Sequence, residues 1–258
     1  MHMVDSMLSN CKKKMYMTIC ETETVHPVYE ILVTRYKTLW TPSQFCLDVF
    51  SKQFPQGDWR LLHLWAPTPQ LVTPVKEDAP YTFYTIGNML DPRKNIGMLL
   101  EAFGRLQLPN ARLLLKATCK IPVNWKIPGV VVINGLLSDE DLEKYIHGRG
   151  HCYINCSHSE GVGMGAVEAA LRGKPVIITD FGGLKEYVPD TPFIVNCTRT
   201  VIEQDDFLFQ KGMIWGQPSI DDLMTHMKTC YDQRIVTWDH PNTHTLINSI
   251  TFDEAQVS

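Results

Sequence analysis

SHSEGVGMGAVEAALRGKPVIITDFGG, residues 157–183, sets a glycine-rich turn at the head of a helical stretch and an apolar strand behind it. HCYINCS (151–157) in front of it reads as a strand, helix 163–172 follows the turn, and Gly173 with Pro175 ends that helix before strand 175–180. Strand, glycine turn, helix, strand is the repeating unit of a parallel sheet, and the turn at the carboxyl end of such a strand is where open α/β sheets bind ligands. Gly161, Gly163 and Gly165 remove side chains there, so the N–H groups of Val162, Gly163, Met164 and Gly165 can approach a diphosphate. The glycines alone suit helix–strand packing equally well. Glu160 and Glu168 add a second requirement, because a carboxylate beside an anion site repels phosphate unless it addresses another part of the ligand, such as hydroxyl donors. A ligand rich in both phosphate and hydroxyls meets that requirement, and a nucleotide sugar has this layout: ribose diol, diphosphate, hexose hydroxyls. The alternative is a capping glutamate and a surface glutamate that share no task.

Working outward, strands are expected at 81–87, 111–117, 130–134 and 192–197, and helices at 95–107, 138–147 and 219–232. The helix at 95–107 should bury Ile96, Leu99, Leu100 and Phe103 on one face. The fold class is therefore α/β, a Rossmann-like doubly wound parallel sheet over 81–235. Residues 198–218 read as an irregular surface insertion. Residues 1–66 form a partial amino-terminal α/β segment, with a strand within 30–40 and a helix over 41–54 capped by Ser43. Pro67, Pro69, Pro74 and Pro80 mark 67–80 as a linker, and 236–258 is a carboxyl-terminal tail.

With 258 residues, 44% hydrophobic, the chain can bury a sizeable core. Its net charge of -4 supplies no general attraction to nucleic acid or anionic lipid, and the Lys12–Lys14 run reads as solvated. The eight cysteines form no C-x-x-C pair, which fits reduced thiols in a cytoplasmic setting; Cys152 and Cys156 lie on one strand face as a packed pair rather than a metal site. No metal site is expected, and no apolar run reaches the length of a membrane span.

The pattern S-x-x-E-G-x-G-x-x-x-x-E at 157–168, then G-K-P-V-I at 173–177 and F-G-G-x-x-E at 181–186, resembles the retaining group 1 (family 4) glycosyltransferases of the GT-B fold. The likeness runs from Thr38 to Tyr231. It implies that Glu160 and the neighbouring backbone hold the donor sugar while Glu168 holds the ribose. GNMLDPRKN (87–95) resembles the family's phosphate loop, which places Gly87, Asn88, Arg93 and Lys94 at the diphosphate, with Lys94 and Glu160 as the catalytic pair. INGLLSDEDL (133–142) resembles the loop that lines the base, through Leu136 and Leu137, and TPSQF (41–45) the end of the amino-terminal domain. His158 stands within reach of the sugar or is a loop residue without a task.

The resemblance implies sugar transfer with retention, without an obligatory metal, from a UDP-, GDP- or ADP-sugar to an unknown glycan, protein or small-molecule acceptor. Two departures qualify it. Asn88 stands where an arginine is common, and residues 1–66 match only the last part of the family's acceptor-side domain. Two readings follow: a transferase completed by a homo-oligomer or partner chain, or a catalytically weak or inactive nucleotide-sugar-binding remnant or split-gene fragment.

Overall fold

The computed structural model describes residues 16–69, 79–206 and 209–250. The Lys12–Lys14 run, most of the expected linker and the last residues of the expected tail lie outside them.

Six parallel strands form the main sheet: β4 (Tyr81–Gly87), β5 (Ala111–Ala117), β6 (Val130–Ile133), β7 (Cys152–Asn155), β8 (Val176–Thr179) and β9 (Ile194–Val195). Their order is β6-β5-β4-β7-β8-β9. The chain thus winds outward from β4 in one direction, then returns to β4's other side at β7 and winds in the opposite direction. The crevice at the carboxyl ends of β4 and β7 is the topological switch point.

Side chains alternate between two cores, as the two-residue period of a strand requires. Tyr81, Phe83, Leu113, Leu115, Cys152, Ile154 and Ile177 enter one core. Tyr84, Leu114, Tyr153, Val176 and Ile178 enter the other. The first core is closed by Ile96–Leu106, through Ile96, Leu99 and Phe103, with Leu100 partly buried at its edge, and by Ile220–Asp232. The second is closed by Met164–Leu171, whose Ala166, Val167, Ala169 and Ala170 are fully buried. Burial on both faces makes this a doubly wound, Rossmann-like sheet. Cys152 and Cys156 both lie in the first core, and all seven described cysteines are free.

Three expectations need correction. Residues 30–35 form a helix, Glu30–Arg35, and not a strand. Pro27 opens the preceding turn and His26 Nδ1 accepts from Val28 N, so helical geometry is nucleated just upstream of the apolar run. The strand is confined to β2 (Thr38–Thr41), parallel to both β1 (Tyr16–Met17) and β3 (Asp58–Leu61). Second, 198–218 is not an irregular insertion: β10 (Cys197–Val201) and β11 (Ile214–Pro218) pair as an antiparallel hairpin. Thr198, Thr200 and Val201 are β-branched strand formers, and the length of the connecting loop hid the pairing. Third, the helix expected over 138–147 begins regularly at Asp139–Leu142 under a Ser138 cap, then widens into a π-turn at Glu143–His147.

The small sheet β1–β3 has its own core, in which Phe50 stacks on Trp59 at 4.7 Å and Leu39 and Cys46 are fully buried. Ser43 Oγ caps the helix Gln44–Gln53 by accepting from Cys46 N. The two sheets are joined through Tyr187: its hydroxyl donates to Pro42 O at 2.5 Å and accepts from Leu64 N at 2.7 Å. Glu186 beside it accepts from Gln44 N and pairs with His63. Within the carboxyl-terminal stretch, Pro241–Ser249 is a helix that buries Ile247 in the second core, and Trp238 N donates to Gly173 O.

Candidate active site

At the switch point the loop after β4 meets the loop after β7. Asp91 Oδ1 accepts from Arg93 N and folds Pro92–Lys94 into a tight turn, which sends both cationic side chains toward the second loop. Glu160 is 5% exposed there. Its Oε1 accepts from Lys94 Nζ at 2.5 Å, Ser157 Oγ at 2.8 Å and Asn155 Nδ2 at 3.3 Å, and its Oε2 lies 3.0 Å from Arg93 Nη1. Burial alone would raise this carboxyl, but Lys94 and Arg93 outweigh it and hold the group at about 2. Glu160 is therefore a carboxylate at neutral pH. Ser157, the first position of the S-x-x-E pattern, serves to bond the glutamate three residues on.

Arg93 is 8% exposed. Its Nη1 also donates to Ser159 O at 2.8 Å, and its Nη2 lies 3.4 Å from Asp91 Oδ2. Burial lowers the guanidinium, while Glu160, Glu21 and Asp91 raise it further. Among the described residues, Arg93 Nε and Ser159 Oγ are buried without a hydrogen-bond partner. Lys94 uses one of its three ammonium donors on Glu160 and remains partly exposed at 21%.

The glycine turn is shaped by close contacts. Gly163 is in the left-handed region at φ 81° and caps the helix, and a Cβ on it would meet Leu184 at 2.3 Å. A Cβ on Gly161 would meet Ile19 at 2.2 Å, and one on Gly165 the Tyr153 hydroxyl at 2.2 Å. The N–H groups of Val162, Gly163, Met164 and Gly165 form no hydrogen bond among the described residues, as expected of a helix amino terminus. The F-G-G pattern supports the turn from behind. Gly183 N donates to Glu160 O at 2.8 Å, and Gly182, with φ 85°, would place a Cβ 2.2 Å from that oxygen. No other residue type fits there without moving the backbone of Glu160.

The remaining expected residues surround this centre. Gly87 ends β4 with the Lys94 side chain lying against it. Asn88 is exposed, and its Oδ1 is turned back onto Leu90 N. Glu168 is half-buried on the helix after the turn; burial raises its carboxyl, and no hydrogen bond engages the carboxylate among the described residues. Leu136 is fully exposed at the end of the loop after β6, with Leu137 packed beneath. Lys116 holds that loop by donating to Gly135 O at 2.6 Å and Ala117 O at 2.8 Å. His158 stacks on Trp215 at 4.5 Å, and its Nδ1 bonds Gly216 O at 2.7 Å.

Glu21 was not foreseen. It comes from the amino-terminal segment, lies 3.0 Å from Arg93 Nη1, and is pushed up to about 7, by burial first and by Glu160, against the pull of Arg93. Its sequence context, TICETET, carries no motif, and its place is set by the contact of Ile19 with Gly161. Among the described residues no group of three or more His, Cys, Asp or Glu gathers to hold a metal, and no helix is long and apolar enough to cross a membrane.

Residues 80–208 match the family model described as "Glycosyl transferases group 1". No curated protein sequence matches the chain. Among solved structures, sucrose-phosphate synthase from Thermosynechococcus elongatus aligns with TM-score 0.62 and 19% identity, over 89% of this chain and 58% of that one. A glycosyltransferase from Rickettsia africae aligns with TM-score 0.65 and 12% identity, over 97% of this chain and 76% of that one. HepE from Anabaena, solved with UDP and glucose, aligns with TM-score 0.60 and 16% identity, over 89% of this chain and 63% of that one. At these identities the likeness establishes the fold, and the chain spans under two thirds of the length of the first and third.

Proposed function

The chain belongs to the group 1 glycosyl transferases, and from that premise we propose that it transfers a sugar, with retention of configuration, from a nucleotide sugar to a glycan, protein or small-molecule acceptor. One observation carries the reading: a buried carboxylate, Glu160, ion-paired to Lys94 and Arg93 at the switch point, in front of a free helix amino terminus. The solved UDP complex of a similar fold is consistent with a UDP-sugar donor.

In this reading the bond from the anomeric carbon to the diphosphate breaks, the acceptor oxygen bonds that carbon, and the acceptor proton leaves on the diphosphate. Positive charge grows at the carbon while negative charge grows on the leaving group. Lys94 and Arg93, with the N–H groups at 162–165, stabilise the diphosphate as fixed donors. Glu160 orients both cations and accepts from donor-sugar hydroxyls. Glu168, whose carboxylate no hydrogen bond engages among the described residues, holds the ribose diol, and Leu136 and Leu137 line the base. No metal is required by these roles.

Asn88 favours a second reading, a donor-binding chain of low activity that needs a partner. Its side chain supplies no cation at the phosphate loop, and a lost cation in a dry site costs a few kcal/mol of transition-state stabilisation, roughly a hundredfold in rate. Thermal denaturation with UDP-, GDP- and ADP-sugars tests both readings. A donor at a hundred times its Kd adds about 2.7 kcal/mol of stability, and no shift with any of the three overturns both. Release of free nucleotide on addition of acceptor then separates transferase from binder.

A further inference from the structure

A cavity of about 1000 Å³ opens between the loop after β4 and the β10–β11 hairpin. Its hairpin wall includes Trp215 and Phe209, with Glu203, Asp205 and Asp206 around them and His158 beside them. Its opposite wall is the outer side of the phosphate loop, Asn88 and Asp91 included. From this chemistry we propose that the cleft is a saccharide site and holds the neutral glycan acceptor on the hairpin of the donor-side domain. The proposal rests on the transfer reading above.

Three features select that occupant. Trp215 and His158 are stacked nearly parallel, at an interplanar angle of 6°, and Phe209 leans on Trp215 at 6.1 Å. Stacking covers one face of each ring, so it is the remaining ring area that Trp215 and Phe209 present to the cleft that meets the C–H face of a pyranose, at little entropic cost. His158 Nδ1 faces the carbonyl of Gly216, which can only accept, so Nδ1 carries the proton. Nε2 then bears a lone pair, and no hydrogen bond engages it among the described residues. With the exposed carboxylates of Glu203, Asp205 and Asp206, the cleft is rich in acceptors, which suits a ligand made of hydroxyl donors and repels a phosphate.

Hydrogen bonds tie the described residues of the hairpin wall together. Asp206 and Phe209 exchange backbone bonds of 2.7 and 2.8 Å, Asp205 accepts from Lys211 N, and Ile202 N donates to Met213 O. The cleft also lies beside the reaction centre. His158 is two residues from Glu160, and its N–H donates to Arg93 O at 2.8 Å. Phe209 lines both this cleft and a smaller pocket of about 100 Å³ that contains Glu21. A volume of this size accommodates a ligand of several rings.

Binding of maltotriose, cellotriose and chitotriose, read by tryptophan fluorescence and by saturation-transfer NMR, tests the assignment in wild type, Trp215→Ala and Asp206→Asn. The exposed Asp206 substitution guards against collapse of the hairpin in the first variant. At least one trisaccharide should bind, with Kd raised roughly tenfold in each variant, the scale of one lost stacking or charge-assisted contact, while the UDP-sugar thermal shift is unchanged. No trisaccharide bound while that shift persists overturns the proposal, as does wild-type affinity in both variants. Displacement of the sugar by UDP, or binding of oligolysine in its place, overturns it too. Saccharide binding without any donor shift removes the acceptor role along with the transfer reading.

Discussion

Glu21 and Glu160 meet across a single nitrogen: Arg93 Nη1 lies 3.0 Å from a carboxylate oxygen of each. The same guanidinium meets two different outcomes. Glu160, which has Lys94 and Ser157 as well, is held at about 2, whereas Glu21, with no further cation in contact among the described residues, is pushed up by burial to about 7. One carboxylate is locked as an anion, and the other titrates near neutrality beside a cation assigned to a diphosphate.

That difference predicts pH-dependent donor binding. Above about 7, ionised Glu21 competes with the donor diphosphate for Arg93, and below it the competitor is neutral. Affinity for a UDP-sugar, whose charge is constant in this range, should rise as pH falls through about 7, and Glu21→Gln should raise it and flatten the profile. Calorimetric titration across this range checks the point; an identical slope in the variant sinks it.

Glu160→Gln should abolish turnover while the fold persists. The substitution leaves Lys94 and Arg93 facing a neutral amide, and removing one partner of a buried ion pair costs about 3–5 kcal/mol. Urea denaturation and nucleotide release should both fall short of wild type, and wild-type turnover would refute the role given to Glu160.

Gly161→Ala should detach the amino-terminal segment from the donor loop. The new methyl would sit 2.2 Å from Ile19 and 2.9 Å from Cys20 O, so residues 19–21 must move. The variant is expected to reproduce the flattened pH profile of Glu21→Gln, and a profile that keeps the wild-type slope shows that Glu21 stayed in place.

Stability should fall on mild acidification. His147 and His151 are buried, and burial lowers them from 6.5 to about 3 and about 4. Their contribution is present above pH 6.5 and is lost as pH falls toward those values. His151 Nδ1 accepts from Thr82 N, a bond that protonation breaks. Glu21 acts in the opposite sense: its contribution is complete below 4.5 and lost as pH rises through about 7. Glu21→Gln should therefore steepen the acid limb of Tm against pH, and His147→Phe should flatten it.

The sheet was legible because its strands are short apolar runs closed by turn residues, with a glycine turn to break the pattern. Leu113, Leu114 and Leu115 reveal nothing one by one, yet as a run they mark a strand buried on both faces. The resemblance assigns Lys94 and Glu160 to one site but says nothing of their direct ion pair, because no local signal spans the gap between two loops. Glu21, Lys116 and the hairpin escaped for the same reason: each acts through a partner fixed by tertiary packing. The Glu30–Arg35 helix escaped because a short apolar run suits either period, and its decision lies upstream at Pro27.

The Lys94–Glu160 pair joins residues 66 positions apart, because β4 pairs with β5 first and with β7 only after three crossovers have been laid down. Closing a long loop is slow and entropically costly. During synthesis the cations after β4 emerge well before the carboxylate that pairs with them, and the growing chain holds no assembled Lys94–Glu160 pair until β7 docks. Recovery of nucleotide binding on refolding is thus expected to coincide with completion of the central sheet rather than with formation of its first strands.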